Sequence, residues 1–448
     1  MYKKVLNLLL ILLLPRITVL AQWEKQTVKG INPNYLIQSI AVVNENVVWA
    51  IADTNSSVPP FICTPKFLRT TNGGLTWKTG NVGSVTSSFL MDICAIDSTT
   101  AWVTENNMAG GGGIYKTTDG GDSWIKQIST IPALIHFFDA QNGVQINVGF
   151  IHITTNGGTT WTPVTNVPSF APDEFTIIYG ANNAYAFVGD TIWVGTTKGR
   201  VYRSADRGQT WNISQTSLGT DAAINSLAFK DSKNGLAASS VNTSTWQIVS
   251  KMARTTDGGE TWTAIAAPPM PTASCITYIP GTADSYVMVA PANSGETPGS
   301  AYTKDGGATW TIIDSVQYYA VAFVAPNIGW AGGFTTATHG GMYRWTGSFL
   351  EVSERKVEKV PQQFGLSQNY PNPFNPSTTI AFSLPQADFV TLKIYNVLGK
   401  EIASLVSERL SAGNYQYQWN ATGMAAGVYF YQLRTDKFSQ TRKMVLMP

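Results

Sequence analysis

The side chains that could do chemistry in this chain are few and regularly placed. Asp119, Asp206, Asp257 and Asp305, with Asn72 and Asn156 in matching places, each stand five residues before a tryptophan: Trp124, Trp211, Trp262, Trp310, Trp77 and Trp161. A second set, Asp97, Asp139 and Asp231, recurs within apolar stretches upstream. Carboxylates that hydrolyse glycosides work as a pair about 5 to 10 Å apart across a cleft. One carboxylate repeated at a fixed register is instead the mark of a turn whose side chain accepts backbone N–H bonds.

The other reactive residue types give less. His136 and His152 lie in apolar runs and His339 in a Gly-rich stretch, which supports neither a zinc set nor a Ser-His-Asp arrangement. Cys63, Cys94 and Cys275 lack metal-ligand spacing, and their odd number allows one internal disulfide at most. Cys63 and Cys94 are the pair adjacent repeats could bring together; the alternative is three buried small apolar side chains. Gly110 to Gly113 lacks the lysine and helix of a phosphate loop and reads as a flexible tip between two strands. No cofactor or metal is expected.

Around the recurring aspartates the full pattern is [S/T]-x-[D/N]-x-G-x-[S/T]-W, present six times. The acid or amide accepts across the turn, the glycine takes positive φ, and the tryptophan buries its ring between neighbouring sheets. The fourth copy has Arg207 where the others carry the first of two glycines. Upstream of each box lies an apolar strand, an Asp-led turn and a second strand, as in Leu227 to Ala237. With Trp49, Trp102, Val144, Tyr185, Leu236, Tyr286 and Trp330 as markers, these units recur at 41 to 53 residues, the length of a four-stranded propeller blade. The seventh box is degraded at Gly341 to Gly347, and its missing strand is Trp23 to Gln26 or, in competition, Ser348 to Glu351. A borrowed N-terminal strand would leave no open edge.

Composition agrees with many short strands. The 448 residues hold 13% charged residues, 40 glycines and 14 tryptophans, and the formal net charge of +2 offers no one-sided field for nucleic acid or anionic lipid. The chain begins Met1-Tyr2-Lys3-Lys4, continues with apolar Val5 to Leu14, and presents Val19-Leu20-Ala21 before Gln22. That is the pattern of a signal peptide cut between Ala21 and Gln22, leaving no membrane span in the mature chain.

After Phe349 the repeat gives way to a charged stretch and then to Asn369, Tyr370, Pro371, Asn372, Pro373, Phe374, Asn375 and Pro376. Prolines at alternating turn positions fix an extended entry to a new domain. Strands at 379–384, 390–395, 415–419, 428–433 and 442–446 follow. The expected organisation is therefore all-β: leader 1–21, seven-bladed Asp-box propeller 22–350, linker 351–363, and a small Ig-like β-sandwich 364–448.

Two resemblances rest on these residues. The repeats resemble the Asp-box (BNR) propellers, among them sialidases, sortilin-type receptors, family 74 xyloglucanases and, most closely, Ycf48-type photosystem II assembly factors. The run at 369–378, Tyr395 to Gly399, Ala426 to Phe430 with Gly427, and Lys443 to Leu446 resemble the type A sorting domain of type IX secretion in Bacteroidota. That second resemblance implies recognition by the secretion machinery and delivery to the cell surface or medium. A sialidase would need an arginine cluster and an R-I-P motif, which the mature chain lacks, and a family 74 enzyme places its acid and base between two propellers. The reading is an exported, non-catalytic propeller that binds a protein or glycan through one loop face, with a divergent glycoside hydrolase as the alternative. The loops proposed for that face are 54–65, 105–113, 239–245, 291–299 and 332–341.

Overall fold

A computed structural model describes residues 22–31, 33–54, 65–83, 88–107, 111–130, 133–147, 150–176, 184–242, 248–268, 270, 275–291, 298–336, 341–349 and 361–447. The contacts divide the chain into two compact units, residues 1–350 and 351–448.

Among the described residues the first unit contains seven four-stranded antiparallel sheets. Blade 1 is typical, with Tyr35–Val42 innermost, then Val48–Thr54, Lys66–Thr70 and Lys78–Asn81. The innermost strands of blades 2 to 7 are Ser88–Ala95, Leu134–Phe137, Tyr185–Val188, Ile224–Phe229, Cys275–Tyr278 and Ala320–Ala325. Blade 7 takes its outer strand from the beginning of the chain: Trp23–Lys25 pairs antiparallel with Met342–Trp345, Trp23 opposite Trp345. Phe349 instead stacks on Trp345 with ring centroids 4.7 Å apart. So the N-terminal segment supplies the closing strand, and the competing segment supplies packing.

Seven apolar clusters, one per interface, make the arrangement a circle. Trp49, Ile51 and Phe67 of blade 1 meet Leu90, Ile93 and Val103 of blade 2, and Trp330 and Met342 of blade 7 meet Ile37, Val48 and Leu68 of blade 1. The five remaining clusters join the blades between. Because each sheet buries alternate residues of both faces against its neighbours, no blade can shield its apolar surface alone.

The same interfaces explain the boxes. Trp102 Nε1 donates to Gly157 O at 3.1 Å and Trp193 Nε1 to Gly258 O at 2.7 Å, each ring reaching the turn of the next blade. Arg69 donates to Gly120 O and Lys116 to Gly157 O in the same way. A Cβ on Gly74 would come 2.5 Å from the Trp330 ring, and φ there is +89°, so that position requires glycine.

Three expectations change. Tyr185 is not the residue after a first hairpin: it lies on the innermost strand of blade 4, whose turn is Gly189-Asp190 and whose second strand is Thr191–Gly195. A two-residue turn replaces the longer Asp-led one there, so the register moves by one strand. Gly111 to Gly113 are not a tip but the start of a strand paired with Glu105 to Asn107, and a Cβ on Gly112 would meet Glu105 O at 2.3 Å. Cys94 is a buried free thiol, which removes the Cys63 to Cys94 bridge, and Cys275 is buried with its Sγ donating to Val321 O; Cys63 lies outside the described residues. The segments 55–64, 108–110, 243–247, 292–297 and 337–340, at the centre of the expected loop face, and His339 also lie outside them.

In the second unit a three-stranded sheet, Gly365–Leu366, Ser377–Leu384 and Gly413–Asn420, packs on a four-stranded one. The second sheet orders Glu401–Leu410, Asp388–Asn396, Gly427–Arg434 and Ser439–Leu446. Ile380, Phe382, Leu392, Ile394, Tyr431 and Met444 fill the space between them. The strand Glu401–Leu410 was not foreseen. It alternates poorly because bulges opposite Leu392/Lys393 and Ile394/Tyr395 shift its register.

Candidate functional site

The six box turns are built alike. The Asp or Asn oxygen accepts from the backbone N–H four residues on: Asn72 from Thr76 at 2.9 Å, Asp119 from Ser123 at 3.0 Å, Asn156 from Thr160 at 2.9 Å. Asp206, Asp257 and Asp305 accept likewise from Thr210, Thr261 and Thr309. Two residues earlier a buried hydroxyl takes the N–H of the second glycine, as Thr255 Oγ1 does from Gly259 at 2.8 Å. Bonds from the Ser123 hydroxyl and N–H hold Asp119 well below the usual carboxylate range. Partial desolvation opposes the effect at Asp257 and Asp305, yet the bonds from Thr261 and Thr309 bring both to about 2. These are permanent anions engaged by their own turns, with no proton to give near neutrality.

Of the box tryptophans, Trp211 and Trp262 are buried, and their indole N–H groups bond Gly208 O and Gly259 O. Trp77 meets Trp330 edge-on at 5.5 Å, and Trp124 and Trp161 lie against Phe67 and Phe137. Trp310 packs on the cluster between blades 5 and 6. The upstream aspartates cap their hairpins: Asp97 accepts from Thr99 and Thr100, Asp139 from Gln141 and Asn142, and Asp231 from Lys233 and Asn234.

The carboxylates that sequence reasoning missed lie deeper. Each innermost strand has a ladder partner on one side, leaving backbone N–H groups along its other edge, where Leu36 of blade 1 also forms a bridge with Phe334. Side chains of the preceding blade take several of them. Asp53 Oδ2 accepts from Leu90 N at 2.8 Å, Asp92 Oδ2 from Ile135 N at 3.0 Å, Cys94 Sγ from Phe137 N at 3.2 Å, and Ser226 Oγ from Ile276 N at 2.9 Å. Asp92 also accepts from Ser39 Oγ at 2.9 Å and from the Tyr185 hydroxyl at 2.7 Å, so one carboxylate ties together blades 1 to 4. Burial pushes Asp53 up to about 8 and, against four hydrogen bonds, Asp92 up to about 6. An acid inside the apolar run Ser88–Ala95 was the available signal, since a buried charge demands partners.

Between the innermost strands of blades 1 and 4 to 7 lies a cavity of about 500 Å³, walled by Ile40, Tyr185, Phe187, Leu227, Ile276 and Tyr278. None of the six propeller arginines lines it. Arg200 pairs with Glu174, Arg203 with Glu260, Arg207 with Asp139 and Asp190, and Arg254 with Asp284. Arg69 and Arg344 lie over Trp49 and Trp330. His136 stacks on Phe187 at 3.7 Å, and desolvation lowers it to about 3; His152 meets Gln145 at 2.6 Å. Among the described residues no group of three or more His, Cys, Asp and Glu could hold a metal ion.

In the second unit the sorting residues divide into two sets. Asn369 and Phe374 are buried: Asn369 Nδ2 donates to Thr378 Oγ1 and Pro371 O, and Phe374 packs on Trp419. Asn372 Oδ1 accepts from Val445 N at 2.9 Å, and Pro376 O from Ala421 N at 2.9 Å. Tyr370, Pro371, Pro373 and Asn375 are exposed. Gly399 closes the turn after Asp388–Asn396 at φ +77°, Gly427 opens the strand Gly427–Arg434, and exposed Lys443 pairs opposite Phe430.

The fold and this module define an Asp-box propeller carrying an export signal. Residues 368–447 match the family of secretion system C-terminal sorting domains, and the chain is accordingly a type IX secretion cargo, delivered to the cell surface or the medium. Among solved structures it is similar to YCF48 bound to D1 peptide, at 17% identity over 73% of this chain and 97% of that one, TM-score 0.51. It is also similar to the GH74 xyloglucanase from Xanthomonas campestris, at 10% identity over 94% and 68%, TM-score 0.52. PorZ, a surface component of the type IX system of Porphyromonas gingivalis, aligns at 15% identity over 91% of this chain and 59% of that one, TM-score 0.44. No curated protein matches the sequence. At these identities the structural likenesses establish the fold alone.

Proposed function

We propose that the chain is a non-catalytic binding propeller, exported by a leader at residues 1–21 and carried across the outer membrane by residues 364–448. The observation that carries this reading is where the carboxylates go. Those that recur are consumed by box turns and hairpin caps, Asp53 and Asp92 hold inner strand edges, and no arginine reaches the channel cavity. A cavity walled mainly by apolar side chains, with Lys230 at its lining, suits a side chain or apolar segment of a partner. YCF48, a propeller of the same fold, has been solved with a peptide bound, which makes peptide the first ligand class to test and glycan the second.

The test presents the full secreted chain to a peptide panel and a glycan array, with parallel hydrolysis assays on xyloglucan and sialyllactose. The expected result is saturable binding without turnover. Turnover that survives purification would replace this reading with the hydrolase.

A further inference from the structure

The strands of the C-terminal unit alternate in direction, which brings separated stretches of sequence to one end of the sandwich. The start of Ser377–Leu384, the ends of Asp388–Asn396, Gly413–Asn420 and Ser439–Leu446, and the start of Gly427–Arg434 all lie there. Phe374 N donates to Val445 O at 3.0 Å and Met447 N to Phe374 O at 2.9 Å, joining the proline run to the C-terminal strand across the two sheets. The C-terminal limit of the family match, 447, falls at this end.

The same end is where large apolar side chains stand in water. Tyr370 is 82% exposed, Val397 66%, Leu398 88%, Met424 43% and Met447 48%. At the opposite end Phe389, at 47%, is the one large apolar side chain so exposed among the described residues. The apolar groups are held, not loose: Asn396 Oδ1 accepts from Leu398 N and Lys400 N, both at 3.0 Å, and the Tyr429 hydroxyl donates to Ala425 O at 2.8 Å. A turn such as Asn396 to Lys400 ordinarily carries polar residues at its tip. Glu401 beside it is taken by Lys393 at 2.8 Å, so no free acid marks the surface. Rigid presentation of several exposed apolar groups at one end of a protein marks an interaction surface.

We infer that this end, centred on Tyr370, Val397 and Leu398, is the face that docks on a protein component of the type IX machinery, through apolar contact with a complementary concave surface. The inference rests on residues 364–448 being the export signal, and it adds which surface is read. Asn369, Asn372 and Phe374 hold the surface in shape, and the exposed residues make the contact.

The test follows export of the full chain in a type IX-competent cell, by fractionation into periplasm, surface and medium. The double variant Val397→Asp with Leu398→Asp, and separately Leu398→Ser, should cut the exported fraction about tenfold or more, as loss of central apolar anchors does, with matching periplasmic accumulation. Gln386→Asp with Lys437→Asp at the opposite end should export normally. Thermal unfolding of each purified variant, expected unchanged, separates misfolding from failed recognition. Normal export of the Val397/Leu398 variants while a chain lacking 364–448 stays periplasmic would overturn the inference and leave the export role intact. Normal export of the truncated chain would remove the export role itself. Equal loss at both ends would overturn the assignment to one face, and so would self-association abolished by Leu398→Asp with export unaffected.

Discussion

Asp257 and Tyr370 both belong to motifs plain in the sequence, yet the propeller engages one completely and the sandwich leaves the other in solvent. Asp257 accepts from the Thr261 N–H and hydroxyl and from Thr255, all within its own turn. Tyr370 keeps only its backbone bonds to Thr379, and its ring is 82% exposed. The propeller motif recurs because each blade needs the same turn, so its regularity reports architecture. The proline run occurs once, and only half of it serves the fold. A motif points to function where the fold leaves its side chains without work.

The largest test of that contrast is Trp193→Ala. It removes a fully buried ring stacked on Phe229 at 3.7 Å and donating to Gly258 O, and should cost about 3–5 kcal/mol in chemical denaturation. A loss below about 1 kcal/mol would contradict the part given to the inter-blade tryptophans. Thr255→Val comes next: it keeps the shape but strips the acceptor from the Gly259 N–H, for about 1–3 kcal/mol. If that variant unfolds at the wild-type denaturant concentration, the buried hydroxyl is not what fixes the turn.

The inner edge gives a pH signature. Asp53 and Asp92 titrate from 3.8 when unfolded and from about 8 and about 6 in the fold. Between those values the folded chain keeps protons that the unfolded chain has released, so their contribution is full below pH 4 and is lost as pH rises towards 8. Asp53→Asn retains an acceptor for Leu90 N–H without a charge to bury and should flatten the decline. The same slope in the variant would show that Asp53 is not its source. The smallest stability effect belongs to Leu398→Ser, within about 0.5 kcal/mol of wild type, although its export should fail. A large destabilisation there would blur the contrast between the regions.

Much of this was legible because periodicity encodes blades: the box, the Asp-led hairpin and the interval between copies required seven units and left one strand owing. Blade 4 was misread at Tyr185 because its hairpin turns on Gly189-Asp190 without the extended Asp-led loop. Gly111 to Gly113 looked like a tip because strand glycines forced by neighbouring backbone carry no apolar signal. The Asp53 and Asp92 bonds were invisible because they join residues 37 and 43 positions apart, through an edge that exists only once the circle closes. The convergence of the sorting residues on one end follows from strand order, which no single stretch of sequence states.

The most direct measurement is fractionation of cells expressing a chain that stops at residue 363. The expected result is a folded propeller retained in the periplasm, with none on the surface or in the medium. Arrival outside the cell at the level of the full chain would contradict it.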